Sequence, residues 1–119
     1  MNITVFPKKL SGQVIVPPSK SVAHRMVIAA ALSNGVSEIT NLYPSVDILA
    51  TMDCMRALGA KIDFDGDKAV IKGIKDIPES AVLDCCESGS TLRFLIPVAG
   101  AGFRKDLSHH ILKSFQSMA

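Results

Sequence analysis

Three features of the sequence predict an α/β fold. Short β-branched or alternating segments are interleaved with longer segments whose apolar residues recur at helical spacing, giving the order β-α-β-α-β-β. Asp65-Gly66-Asp67 joins two alternating segments and is a strong hairpin signal. From about Ala81 the pattern of strand, hydroxyl-rich turn and apolar helix starts again, roughly seventy residues after its first appearance, so the chain carries an internal repeat.

Taken in order, Asn2 to Phe6 and Gly12 to Val16 read as two short strands around Ser11-Gly12, the second closed by Pro17. From Ser21 to Leu32 the apolar content is nearly continuous, which predicts a helix buried on most sides, with Asn34-Gly35 at its C-terminal end. Val36 to Thr40 reads as a strand. Ser45 or Asp47 can cap a helix over Val46 to Leu58, where Ile48, Leu49, Met52, Met55 and Leu58 fall at helical spacing before Gly59. Lys61 to Asp65 and Lys68 to Lys72 form the hairpin, Ala81 to Cys85 is strand-like, and Leu92 to Ala99 is an apolar helix. Beyond Gly100 the repeat calls for another strand but no β-branched alternating run is evident. Leu107, Ile111, Phe115 and Met118 instead fall at the spacing of a short amphipathic helix.

With 119 residues, 48% of them hydrophobic, the chain can bury one modest core. A net charge of +2, no long basic run and no tryptophan argue against a nucleic-acid surface. Cys54, Cys85 and Cys86 are odd in number and contain no Cys-x-x-Cys, so neither a disulfide framework nor a zinc site is indicated and reduced thiols fit best. Lys8 and Lys9 precede no apolar stretch of signal-peptide length, and no segment approaches the ~18 apolar residues of a membrane span. The expectation is a soluble cytoplasmic chain with no membrane partner.

The chemistry concentrates in Pro17-Pro18-Ser19-Lys20-Ser21-Val22-Ala23-His24-Arg25. Two prolines fix the approach to the helix, and Ser19 or Ser21 can cap it, which holds Lys20 at the positive end of the helix dipole. A cation there is unfavourable unless an anion binds beside it, where exposed backbone N–H groups also point. Arg25 lies at i+4 from Ser21, on the same face. Ser88-Gly89-Ser90 followed by Arg93 repeats this layout, and Gly89 lets a ligand come close to the backbone.

The competing motifs are weaker. Lys20-Ser21 lacks the glycines of a phosphate-binding P-loop. Asp63, Asp65 and Asp67 lack the later acidic ligand of a calcium loop, and the hairpin turn explains them. His24 has no visible carboxylate partner, so a structural role suits it better than general-base work. The adjacent pair His109 and His110 is poorly spaced for two ligands on one helix face. Cys85 and Cys86 have no evident activating base, with one expected in the core and the other outside it.

The run from Pro18 to Arg25, together with Glu87-Ser88-Gly89-Ser90-Thr91-Leu92-Arg93, resembles the start of the 5-enolpyruvylshikimate-3-phosphate synthases, the 3-phosphoshikimate 1-carboxyvinyltransferases. The resemblance extends from near Met1 to about Ala99 and covers roughly a quarter of the length usual in that family. It implies two inside-out α/β domains built of βαβαββ units, of which this chain holds one unit and part of a second. Residues 1–19 are then strands that pack with the other domain, 20–99 a partial enolpyruvyl transferase domain, and 100–119 a divergent tail, the end of a truncated or frameshifted product.

The resemblance further implies transfer of the enolpyruvyl group of phosphoenolpyruvate to the 5-hydroxyl of shikimate 3-phosphate, with release of phosphate and no metal or other cofactor. Lys20 matches the lysine that contacts both substrates. Ser21 and Arg25 match residues that bind the shikimate ligand, chiefly its carboxylate, and a guanidinium suits a planar carboxylate. Gly89 matches the loop glycine near the phosphoenolpyruvate and glyphosate site, and Arg93 the arginine of the following helix. The family often has Asn where this chain has Glu87, which is expected to point away or pair with a cation. No catalytic acid or base falls within the chain, so little or no activity is expected of it alone. Two alternatives follow: a non-catalytic fragment that binds shikimate 3-phosphate or complements a C-terminal part, and a UDP-N-acetylglucosamine enolpyruvyl transferase, against which Ser21 after Lys20 argues. Self-association through uncovered apolar surface is a further expectation.

Overall fold

Ser19 closes an extended approach (φ −68°, ψ 119°), and its hydroxyl accepts the Val22 amide at 3.5 Å, so helix α1 runs Lys20–Leu32. The computed structural model describes residues 1–100 and, as backbone, 101–102 and 110–113. Strand β1 (Val36–Ile39) follows, then helix α2 (Val46–Ala57), capped by Ser45, whose hydroxyl accepts the Ile48 amide at 3.3 Å. Asp47 therefore sits in the first turn of α2 and is not its cap. Strands β2 (Lys61–Phe64) and β3 (Ala69–Lys72) form the predicted hairpin. In its turn the Asp65 carboxylate accepts the amides of Asp67 at 3.0 Å and Lys68 at 2.8 Å, and Gly66 adopts φ 105°. These donors, the Lys68 amide first, hold the Asp65 carboxyl below its usual range. The acidic cluster is explained by the turn.

The first sheet is antiparallel in the order β1-β3-β2, with Ile39 opposite Ala69 and Ile62 opposite Ile71. Helices α1 and α2 pack on each other, α1 against β1 and β3 and α2 against β2. The core is the seam between these layers: Val27 and Ala31 from α1, Ile48, Met52 and Met55 from α2, Ala69 and Ile71 from β3, all sealed from solvent.

The second unit begins with β4 (Ala81–Asp84), which packs on α2, and continues into helix α3 (Gly89–Gly102). A fifth strand, β5 (His110–Lys113), pairs parallel with β4, so α3 is a crossover connection of a βαβ unit. The internal repeat is shared at the capped helix starts of α1 and α3, while the strand before the helix is present only in the second copy.

Three expectations change. Residues 1–19 form no strand: no described segment pairs with them, and Ile3, Val5, Phe6, Val14 and Ile15 are all highly exposed. Alternation makes a strand only where a hydrogen-bonding neighbour exists. Helix α1 is buried on one side, not most: Ala23, His24, Val27, Ile28, Ala30 and Ala31 are covered, while Val22, Met26 and Leu32 remain about half exposed. The sheet and α2 cover one face, and the described residues supply no layer for the other. The strand missing from the sequence reading is β5, where a helix was expected. The remainder of that proposed tail helix, 103–109 and 114–119, lies outside the described residues.

The end of α1 is tied to the end of β3. The Ile74 amide donates to the Ala31 carbonyl at 2.8 Å and the Gly73 amide to the Gly35 carbonyl at 2.9 Å, which satisfies a helix-terminal carbonyl. A side chain at Gly73 has no room, since a Cβ there would lie 1.7 Å from the Ser33 carbonyl oxygen. Gly73→Ala is expected to destabilise the chain by about 2 kcal/mol or more through forced separation of the two elements, read as a lower midpoint in urea unfolding.

Candidate functional site

Lys20 occupies the first position of α1, directly after the Ser19 cap, and no acidic residue lies in that first turn. Its ammonium instead faces the Asp47 carboxylate across the helix pair at 3.7 Å. The lysine side chain keeps 60% of its exposure, so the pair is wet and contributes at most about 1 kcal/mol. What it does is hold a solvent-accessible cation at the positive end of a helix. Ser21 and Arg25 are exposed beside it. The Arg25 guanidinium carbon lies 5.7 Å from the centre of the Phe94 ring, so α3 provides the surface on which this arginine rests.

The second turn repeats the construction. Ser88 caps α3, its hydroxyl accepting the Thr91 amide at 3.1 Å and its carbonyl the Leu92 amide at 3.2 Å. The approach is bent by Cys86, at φ 48°, whose amide is held by the Asp84 carboxylate at 2.9 Å. Gly89 opens the helix, and a Cβ built on it would meet nothing within 4 Å. Its bare backbone thus serves no internal packing and faces open space. Arg93 is exposed and makes no ion pair among the described residues, and the same holds for Glu87. Glu87 is exposed to solvent.

The two turns are linked through a buried chain of polar groups. His24 Nδ1 lies 2.7 Å from Thr51 Oγ1, which lies 2.8 Å from Thr91 Oγ1, which lies 2.6 Å from Ser88 Oγ. Both threonines also reach the Asp47 backbone carbonyl, at 3.2 and 3.3 Å. Asp47 is thereby common to both turns: its carboxylate meets Lys20, and its carbonyl lies within reach of the hydroxyls that lead to Ser88. The His24 ring is itself tilted against Phe94, with centroids 5.9 Å apart.

Burial lowers the His24 pKa below its ordinary value, with Asp47 opposing and Lys20 assisting, so the ring is neutral at pH 7. Burial pushes the Cys54 and Cys85 thiols up, and the Cys54 thiol donates to the Asp84 carbonyl at 3.2 Å. Neither is a nucleophile. As expected, Cys85 lies in the core and Cys86 at its edge.

The sequence reading singled out Lys20, Ser21, Arg25, Gly89 and Arg93 but missed the groups that connect them. A signal was present. Thr51 falls three residues after Ile48 and four before Met55, on the apolar stripe of α2, and Thr91 stands four residues before Leu95 on that of α3. A hydroxyl on an apolar stripe needs a buried partner.

Serine-capped helix starts, each carrying an arginine within two turns and the first a lysine, are joined by a buried polar core into one α/β unit that exposes cations at its helix starts. Comparison with known proteins agrees with that class. A model of the EPSP synthase family, described as 3-phosphoshikimate 1-carboxyvinyltransferase, matches residues 5–108. The chain belongs to the EPSP synthase family. It is 50% identical over 106 residues to the 3-phosphoshikimate 1-carboxyvinyltransferase of Clostridium beijerinckii, a match covering 82% of this chain and 24% of that protein. The corresponding protein of Clostridium novyi is 45% identical over 108 residues, covering 82% and 25%. Among solved structures, the EPSP synthase from Acinetobacter baumannii superposes with a TM-score of 0.59 at 29% identity, over 71% of this chain and 20% of that one. The chain spans about a quarter of the length of the curated relatives it matches.

A base whose pKa is depressed in the folded state binds fewer protons there than in the unfolded chain, so stability rises with pH through that window. His24 should therefore cost the fold stability as pH falls from about 6.5 towards its lowered folded value. Thermal unfolding is expected to show a falling Tm between pH 7 and 5, with the slope reduced in His24→Asn, which retains a polar atom near the Nδ1 position.

Proposed function

We propose that the chain supplies one wall of the cleft in which phosphoenolpyruvate and shikimate 3-phosphate react, the 5-hydroxyl of the latter taking the enolpyruvyl group as phosphate leaves. Family membership supports the reaction. The observation that carries the site is the exposed Lys20 ammonium at the start of α1, beside Arg25 and unshielded by any acidic residue in its own turn. Between two anionic substrates this lysine lowers their mutual repulsion, while Ser21 and Arg25 orient the shikimate ligand, the guanidinium matching a planar carboxylate. Gly89 leaves room for phosphoenolpyruvate at the backbone of α3, and Arg93 adds a second guanidinium. Protonation of the phosphoenolpyruvate methylene carbon, addition of the hydroxyl and expulsion of phosphate through a tetrahedral intermediate need acid–base groups that we assign to other parts of the enzyme.

In this reading residues 20–99 are the part of a domain that lines the cleft, and residues 1–19 pack against the other domain. The exposed Ile3, Val5, Phe6, Val14 and Ile15 support that assignment, because such a run is covered in a finished enzyme. Soluble anionic metabolites as substrates fit a cytoplasmic protein. Among the described residues no helix is long and apolar enough to cross a membrane. The half-exposed Val22, Met26 and Leu32 are the surface through which the isolated chain self-associates.

The purified 119-residue chain is expected to bind shikimate 3-phosphate in titration calorimetry yet to release no phosphate above background when both substrates are supplied. Lys20→Ala and Arg25→Ala should each weaken binding about ten- to a hundredfold, the range of a lost charge-assisted hydrogen bond. Equal affinity in all three proteins overturns the site, and measurable turnover overturns the assignment of acid–base chemistry elsewhere.

A further inference from the structure

The chain from His24 to Ser88 is sealed: Thr51 and Thr91 are 0% exposed, His24 2% and Ser88 3%. Its hydrogens can be counted. Five contacts join its members to one another and to the Asp47 carbonyl: three in series at 2.6 to 2.8 Å, and two at 3.2 and 3.3 Å on the carbonyl. Ser88, Thr51 and Thr91 each own one hydroxyl hydrogen. If His24 Nδ1 is bare, those three hydrogens are consumed by the three short contacts, and the Asp47 carbonyl receives neither threonine. If Nδ1 carries the hydrogen, a fourth donor enters, the three short contacts are all met, and one threonine is released to donate to Asp47. The second arrangement satisfies one contact more, and that contact falls on a sealed threonine hydroxyl.

We propose that His24, Thr51, Thr91 and Ser88 form a positioning relay for the anion site, in which neutral His24 donates from Nδ1 into the hydroxyl chain and the Asp47 carbonyl closes it. The relay fixes the Lys20–Asp47 pair relative to the Ser88–Gly89 turn, so that the two helix starts form one surface. Thr51, in the middle of the relay, is a positioning residue with no access to ligand. This role rests on the reading of those turns as the substrate site, whereas the tautomer does not.

The test uses the full 119-residue chain, nitrogen-15 labelled, with Thr51→Val and Thr51→Ser. Histidine side-chain correlation spectra at pH 7.5 should show His24 as the Nδ1–H tautomer in the wild type and in Thr51→Ser, and as a tautomer mixture in Thr51→Val. On titration with shikimate 3-phosphate, the Gly89 amide should shift in the wild type and in Thr51→Ser. In Thr51→Val that shift should be lost and binding weakened about tenfold. An Nε2–H form in the folded wild type overturns the relay whether or not anything binds, and it decides the matter even where Thr51→Val fails to fold. Equal affinity and an unchanged Gly89 response in Thr51→Val overturn the positioning role alone. A wild type that holds the Nδ1–H form but binds no shikimate 3-phosphate overturns the substrate reading and the positioning role together, leaving the hydrogen count intact.

Discussion

Asp47 is the residue on which the arrangement turns. One amino acid offers its carboxylate to the lysine of the first helix and its backbone carbonyl to hydroxyls from the second and third. The carboxylate contact is weak because it is wet. The carbonyl contacts lie against sealed threonines, where a broken hydrogen bond costs the full desolvation of the group left behind. The exposed half of the residue thus meets a cation of α1 in solvent, and the backbone half ties α2 to α3.

The same division runs through the rest of the molecule. Groups able to meet an anion are on the outside and at helix starts, where backbone amides have no partner within the helix. Groups that determine where those starts lie are inside and carry no charge at neutral pH. His24 is neutral because burial outweighs the nearby carboxylate. A charged ring at that position would stand among Asp47 on α2 and Lys20 and Arg25 on α1, and would disturb the field that the exposed cations generate. Phe94 links inside and outside, one ring serving as contact for both the buried His24 and the exposed Arg25.

Much of this was legible in the sequence, and the parts that were not share a cause. The helices, the Asp65-Gly66 hairpin and the repeat depend on local patterning and were read from it. Residues 2–6 and 12–16 have the alternation of strands, but pairing is a property of a neighbour, and no described segment provides one. The strand at 110–113 failed in the opposite sense: four residues are too few to outweigh a helical spacing spread over the whole tail, and it is the parallel register with Ala81–Asp84 that makes it a strand. At the site, the exposed cations stood out because charge beside a helix cap is unusual. The hydroxyls of Thr51 and Thr91 meet across a gap of forty residues, and no local pattern encodes that distance.

Gly73 shows what such fastening implies for motion. Helix α1 is held at its far end, where β3 runs under the Ser33 carbonyl, while its start presents Lys20. Thirteen residues at 1.5 Å each make a lever of roughly 20 Å, so a tilt of roughly 3° about the fixed end carries the lysine roughly 1 Å. A displacement of that order separates productive from unproductive alignment of reacting groups. The close pass of Gly73 beside the Ser33 carbonyl thus constrains, from the opposite end of the helix, where Lys20 stands.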